Sequence, residues 1–212
     1  MRIADNFDFG ESVAFQVHIA DATGDAVVLG PGADGEMTFT RKPEGDGYLV
    51  STNFSLADKD DSSCWRYDTA TSMLEDVGVS DSLTPEYARE TLEAVHLNML
   101  TTYTLYSNVF DLVDQKVYLN YMAQYGETVE IDLHEELALG SRVIDMRDLF
   151  SPDVATEGDD AYRRFEVRFT AAKIGVIAVL VVGIALGTWL ILRRRAEVGS
   201  GAPEASHVEP AD

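Results

Sequence analysis

Cysteine is almost missing from this sequence, and lysine is scarce. Cys64 is the single cysteine, so no internal disulfide can form, and the four histidines, His18, His96, His134 and His207, stand at none of the paired spacings that hold zinc. A disulfide scaffold and a structural zinc site are both excluded, and nothing in the pattern calls for a metal or a cofactor. Only four lysines (Lys42, Lys59, Lys116 and Lys173) stand beside twelve arginines, and the 16 basic residues face 37 acidic ones, a formal net charge of -21. Nucleic-acid affinity comes mainly from Lys and Arg displacing counterions from phosphates, so a surface this acidic excludes nucleic acid as a partner.

What is present is a folded chain. Hydrophobic residues make up 46%, too many for a disordered acidic polymer, and the acids are spread along the folded part rather than blocked into one tail. Such a surface reads as salt-adapted, because concentrated salt screens its self-repulsion over a few ångströms while the charge keeps it soluble. The composition predicts a halophilic source and loss of fold at low ionic strength; an acidic protein of ordinary salt tolerance is the alternative.

One long apolar run interrupts this polar chain. Ile174 to Leu192 carries no charge, and Arg193, Arg194 and Arg195 follow at once. At 1.5 Å per residue the run spans roughly 28 Å, close to the hydrocarbon thickness of a bilayer, with Trp189 where an interfacial aromatic belongs. It predicts a single transmembrane helix. The compact arginine triplet favours a cytoplasmic C-terminal tail with the folded part outside, although Met1 to Asp5 opens without an apolar export signal. Gly183 and Gly187 form a G-x-x-x-G that permits helix dimerisation. The expected organisation is a lead-in over 1–11, a domain over 12–150, a linker over 151–173, the membrane helix over 174–192 and a disordered acidic tail over 193–212.

Within the domain the hydrophobic period changes twice. Ser12 to Ala20, Ala26 to Leu29, Glu36 to Arg41 and Tyr48 to Thr52 read as strands of an antiparallel meander separated by Asp, Gly and Pro turns. Helical spacing follows, with Ser62 or Ser63 as an N-cap before Arg66 to Leu74, then Thr84 capping a helix that opens on Pro85. Period two returns in Tyr103 to Val113, Lys116 to Gln124 and Glu127 to Leu133, before a short helix over His134 to Gly140 and a loop over Arg142 to Asp160. The fold class is α+β, with seven strands and two longer helices that leave a sheet face in need of cover.

Several segments lie in the order found in one family. They are Ile19 to Val28 with its Asp21-x-x-Gly24 turn, Val50-Ser51-Thr52-Asn53-Phe54, Cys64-Trp65-Arg66-Tyr67-Asp68-Thr69-Ala70, Thr104 to Leu112, and Lys116-Val117-Tyr118-Leu119. Together they resemble the C-terminal part of the N-terminal nucleophile (Ntn) amidases of the linear amide C–N hydrolase and choloylglycine hydrolase group, with its penicillin acylase-like relatives. The resemblance covers about residues 12–150. It implies a partial αββα domain and hydrolysis of a small-molecule amide by a cysteine freed as the first residue of the mature chain, whose own α-amino group serves as base. It also implies that Asn53 is the side-chain donor to the tetrahedral oxyanion and that Arg66 is the active-site arginine. Taken without the family, an Asn after a strand is often a turn former and an Arg in a helix's first turn a surface ion-pair partner.

The chain departs from that family at the attacking group. Cys64 lies inside the later helix motif and has no α-amino group beside it, so the expected nucleophile is missing and the chain alone is not expected to turn over amides. The resemblance then implies a fragment or homologue completed by an N-terminal segment or partner chain, or a catalytically dead remnant. A non-catalytic binding or structural domain tethered to the membrane bilayer is the alternative.

Overall fold

A computed structural model describes residues 16–32, 36–57, 64–77 and 83–199. The chain divides into two compact units, Met1–Arg163 and Arg164–Asp212. The first unit is mixed α and β, with two three-stranded antiparallel sheets.

The first sheet is the meander β1 (Val17–Ala20), β2 (Ala26–Pro31) and β3 (Met37–Arg41). Asp21 closes its first turn, accepting the Thr23 N–H at 2.8 Å and the Asp25 N–H at 3.3 Å, while Gly24 supplies a φ of +84° that a side chain would resist. Val28 on β2 is almost fully buried, whereas Val17, Ile19 and Phe39 remain exposed. Residues 12–15 of the first predicted strand lie outside the described residues.

The second sheet comprises β4 (Tyr106–Asp111), β5 (Lys116–Tyr121) and β6 (Gln124–Asp132). The sequence places the β5–β6 turn three residues too late. The turn sits on Met122 and Ala123, with φ of +47° and +55°, so Tyr121 pairs with Gln124 and Gly126 lies inside the strand. Two left-handed residues match the twist of a two-residue hairpin, and that geometry prevails here over the glycine signal. Strand β4 is shorter than its Tyr103 to Val113 expectation because Tyr103 makes only an isolated bridge to Asn98 and Asp111 folds back on the amides of Val113 and Asp114.

Helix α1 (Trp65–Val77) begins just after residues 62 and 63, where the sequence puts its N-cap and which lie outside the described residues. Helix α2 (Pro85–Ala94) starts as its sequence indicates, with Thr84 accepting the Tyr87 N–H at 3.2 Å. Val50, Ala70 and Val95 form one small core with Tyr48, Tyr67 and Leu74 around it; Leu119, Tyr121 and Phe150 form the other. Helix α3 (Leu133–Ala138) is capped by Asp132 and ends before Gly140 at φ +77°.

Two further expectations are corrected. Tyr48 to Thr52 is not a strand, because a side chain rather than a neighbouring strand satisfies the backbone that follows it. Arg142 to Asp160 is not loop throughout: Met146–Leu149 forms a 3-10 turn and α4 (Pro152–Gly199) starts at Pro152. Pro152 suits a first helical position, and Ser151 accepts the Val154 N–H at 3.5 Å, a start signal that the run of acids after it obscures.

In the second unit α4 carries the apolar run. Every large apolar side chain from Ile174 to Leu192 is exposed, and the helix is long and apolar enough to cross a membrane. The Thr188 hydroxyl returns to the Ile184 carbonyl at 2.8 Å, which satisfies it without water. Near one end of the run Lys173 stands 3.9 Å from the Phe169 ring centroid, and near the other the Arg193 guanidinium stands 5.5 Å from that of Trp189.

Candidate functional site

Among the described residues the segment 51–56 has no strand partner, yet it is fixed at nearly every residue. Gln16, just before β1, donates from Nε2 to the carbonyls of Thr52 (2.9 Å) and Phe54 (2.5 Å), and its Oε1 accepts the Leu56 N–H at 2.9 Å. One amide side chain thus replaces a ladder, satisfying both donors and acceptors of an irregular backbone. Ser51 and His18 meet at 3.1 Å, Ser55 donates to the Pro31 carbonyl at 2.7 Å, and Phe54 packs edge-on against Tyr67 with ring centroids 5.3 Å apart. Burial holds the His18 imidazole below its ordinary pKa.

On this platform Asn53 and Arg66 come together. Arg66, in the first turn of α1, donates from Nη1 to Oδ1 of Asn53 at 3.1 Å and from Nε to the Val95 carbonyl at 2.8 Å. The first bond fixes which end of the Asn53 amide faces the arginine. Its oxygen is engaged, so its Nδ2 turns the other way and remains a donor at an exposed position. Two residues thirteen apart in sequence are therefore one unit in space.

Cys64 belongs to the same cluster. The Thr52 hydroxyl lies 3.4 Å from its Sγ. Burial is the largest single influence and pushes the thiol up, but the Thr52 hydroxyl, the N–H groups of Tyr67 and Arg66 and the Arg66 charge together outweigh it, leaving the pKa below that of a free thiol.

Arg66 also borders a cavity of about 410 Å³, walled by Leu92 and Val95 at the end of α2, by His96, and by Thr104 to Asn108 leading into β4; Asn53 is not among its lining residues. Within it the Ser107 hydroxyl is held at 2.7 Å by Tyr125, whose own hydroxyl lies 3.3 Å from the Leu92 carbonyl. Among the described residues no three His, Cys, Asp or Glu side chains cluster as a metal would need.

Sequence reasoning singles out Asn53 and Arg66 but misses Gln16, Thr52 and His18. Gln16 and His18 are two apart on an extended segment and so fall on one face, a signal available only once the segment they face is known. Compared with family models, with curated proteins and with solved structures, the chain gives no match.

Proposed function

We propose that the first unit is the oxyanion-stabilising part of a linear amide C–N hydrolase of the Ntn type, held at a membrane by α4. The observation that carries this reading is the Arg66 to Asn53 hydrogen bond, which leaves the Asn53 Nδ2–H₂ free and fixed in direction. A fixed donor aimed at a developing oxyanion contributes about 3 kcal/mol to transition-state stabilisation, and it needs no reorganisation when the charge forms. Arg66 acts through Asn53 as a positioning residue.

The attacking group comes from elsewhere. Cys64 lies between Ser63 and Trp65, so its nitrogen is an amide and cannot serve as a base. The chain therefore does not turn over amides by itself, and an N-terminal segment or partner chain bringing a cysteine with a free α-amino group completes it. The substrate is a small-molecule amide, and αββα layering arises only in that complete assembly. In the membrane α4 makes a single pass, with Arg193 to Arg195 on the cytoplasmic side and the first unit outside. Gly183 and Gly187, against which an added Cβ would meet nothing, leave room for a second helix.

The test is intact mass and N-terminal sequencing of the protein taken from its native membrane in high salt, followed by an amide-hydrolysis screen. A heavier chain or a tightly held partner beginning with cysteine, with hydrolysis lost in Asn53→Ala, supports the proposal. Hydrolysis unaffected by Asn53→Ala removes it. One observation favours the second reading, a non-catalytic membrane-tethered binding domain: the cavity beside Arg66 does not include Asn53, so binding there needs no oxyanion donor.

A further inference from the structure

Arg41, Arg89, Arg142 and Arg147 each pair with a carboxylate, but Arg66 pairs with none among the described residues. Its two hydrogen bonds, to the Val95 carbonyl and to Asn53, are to neutral acceptors and use two of its five N–H groups. Among the described residues this half-buried guanidinium has no counter-charge, unusual in a chain with 37 acids, and no described Asp or Glu lines the cavity it borders. The remaining wall is amphipathic. Leu92, Val95, Leu105 and Tyr106 supply apolar surface, while Ser107 and Asn108 supply short polar groups. At about 410 Å³ the space falls in the range of small-molecule sites.

We propose that this cavity binds a small amphipathic carboxylate, its acid group on the Arg66 guanidinium and its alkyl chain along Leu92, Val95 and Leu105. Planar N–H groups match a carboxylate better than they match a spherical anion, and the partly buried setting preserves the attraction at ionic strengths that screen surface pairs. Surrounding acids repel anions in general, so the apolar wall sets selectivity by selecting those anions that carry a chain. The inference shares Arg66 with the hydrolase reading but not its chemistry, since nothing is cleaved.

The test is equilibrium dialysis of radiolabelled hexanoate against the full chain in lipid nanodiscs in molar KCl, with empty nanodiscs as background. Saturable binding of one hexanoate per chain is expected, displaced by unlabelled hexanoate, at least tenfold more weakly by acetate, and not by hexan-1-ol. Arg66→Gln should weaken it at least tenfold. Because Arg66→Gln also removes two structural hydrogen bonds, Asn108→Asp provides an independent variant that puts a repelling charge in the cavity and leaves those bonds alone; it too should abolish binding. Uptake equal to empty nanodiscs, displacement by hexan-1-ol as good as by hexanoate, or full binding in Asn108→Asp overturns the proposal. Equal displacement by acetate overturns the amphipathic selectivity. None of these outcomes bears on amide hydrolysis, which fails or succeeds on Asn53.

Discussion

The Tyr121 hydroxyl donates to Oδ1 of Asp159 across 2.7 Å, joining the end of β5 to the second turn of α4. Arg147 holds the other carboxylate oxygen at 2.8 Å, so one acid ties together a strand, a 3-10 turn and a helix. The Arg147 bond, then the Tyr121 bond, keep Asp159 below the usual carboxylate range. A carboxyl lowered in the folded state stabilises it above the ordinary carboxylate pKa, and that contribution disappears as pH falls through the folded value. Asp159→Asn should lower the melting temperature at pH 7 and flatten its decline between neutral pH and the acid range. Asp25, lowered by Arg41, and Asp132, lowered by the α3 amides, leave a residual acid limb.

Tyr121 predicts the alkaline limb. Burial first, then the bond to Asp159, raises its pKa to about 12. A phenol raised in the folded state contributes stability below its unfolded value near 10 and loses it as pH climbs toward 12, about 3 kcal/mol over that window. Denaturant titrations in that window should show a shallower loss for Tyr121→Phe than for the parent.

Gly158 tests the packing of α4 on the second sheet. A Cβ there would sit 2.9 Å from both Met122 Cβ and Tyr121 Cδ1, neither of them the free end of a flexible chain. Alanine raises helix propensity by about 1 kcal/mol, but the overpacking costs roughly 1–3 kcal/mol and prevails. Gly158→Ala should therefore destabilise the first unit in chemical denaturation, and a stabilised variant would show that the contact yields freely.

Ala123 works in the opposite direction. At φ +55° its Cβ is strained, and no side-chain role offsets the cost, so Ala123→Gly should stabilise by about 1 kcal/mol. The same measurement checks it.

Gln16→Ala removes three hydrogen bonds to the backbone of 52–56. At about 1 kcal/mol each, less for partial exposure, the loss is about 2 kcal/mol, and hydrogen exchange at the Leu56 amide should accelerate far more than at Val28.

Salt dependence tests the charge reading. With a net charge of -21, the melting temperature should rise from dilute buffer to molar KCl.

Local signals predict local structure well here. The Asp21 turn, the Thr84-Pro85 start and the Asp132 cap are written in two to four residues each, and the apolar run announces α4 by composition alone. The strand read at Tyr48 to Thr52 fails because its β-formers are the same residues that a core segment needs, and Val50 is indeed buried; only the distant Gln16 decides which. Asn53 and Arg66 are singled out in the sequence only by the resemblance, which stays a proposal, whereas their mutual bond depends on where α1 starts, which no spacing rule supplies.

In the proposed hydrolase the orientation of the Asn53 amide sets stability against function at a single atom. Asn53→Asp would exchange the free Nδ2 for an oxygen while turning the bond to Arg66 into a charge-assisted one, so the variant should be firmer and yet have nothing to donate. Where spontaneous deamidation opens to aspartate rather than isoaspartate, it makes the same exchange with a mass change of about one dalton. A preparation carrying aspartate at 53 would stay folded while its donor has become an acceptor, and its history would be visible in the charge of one side chain.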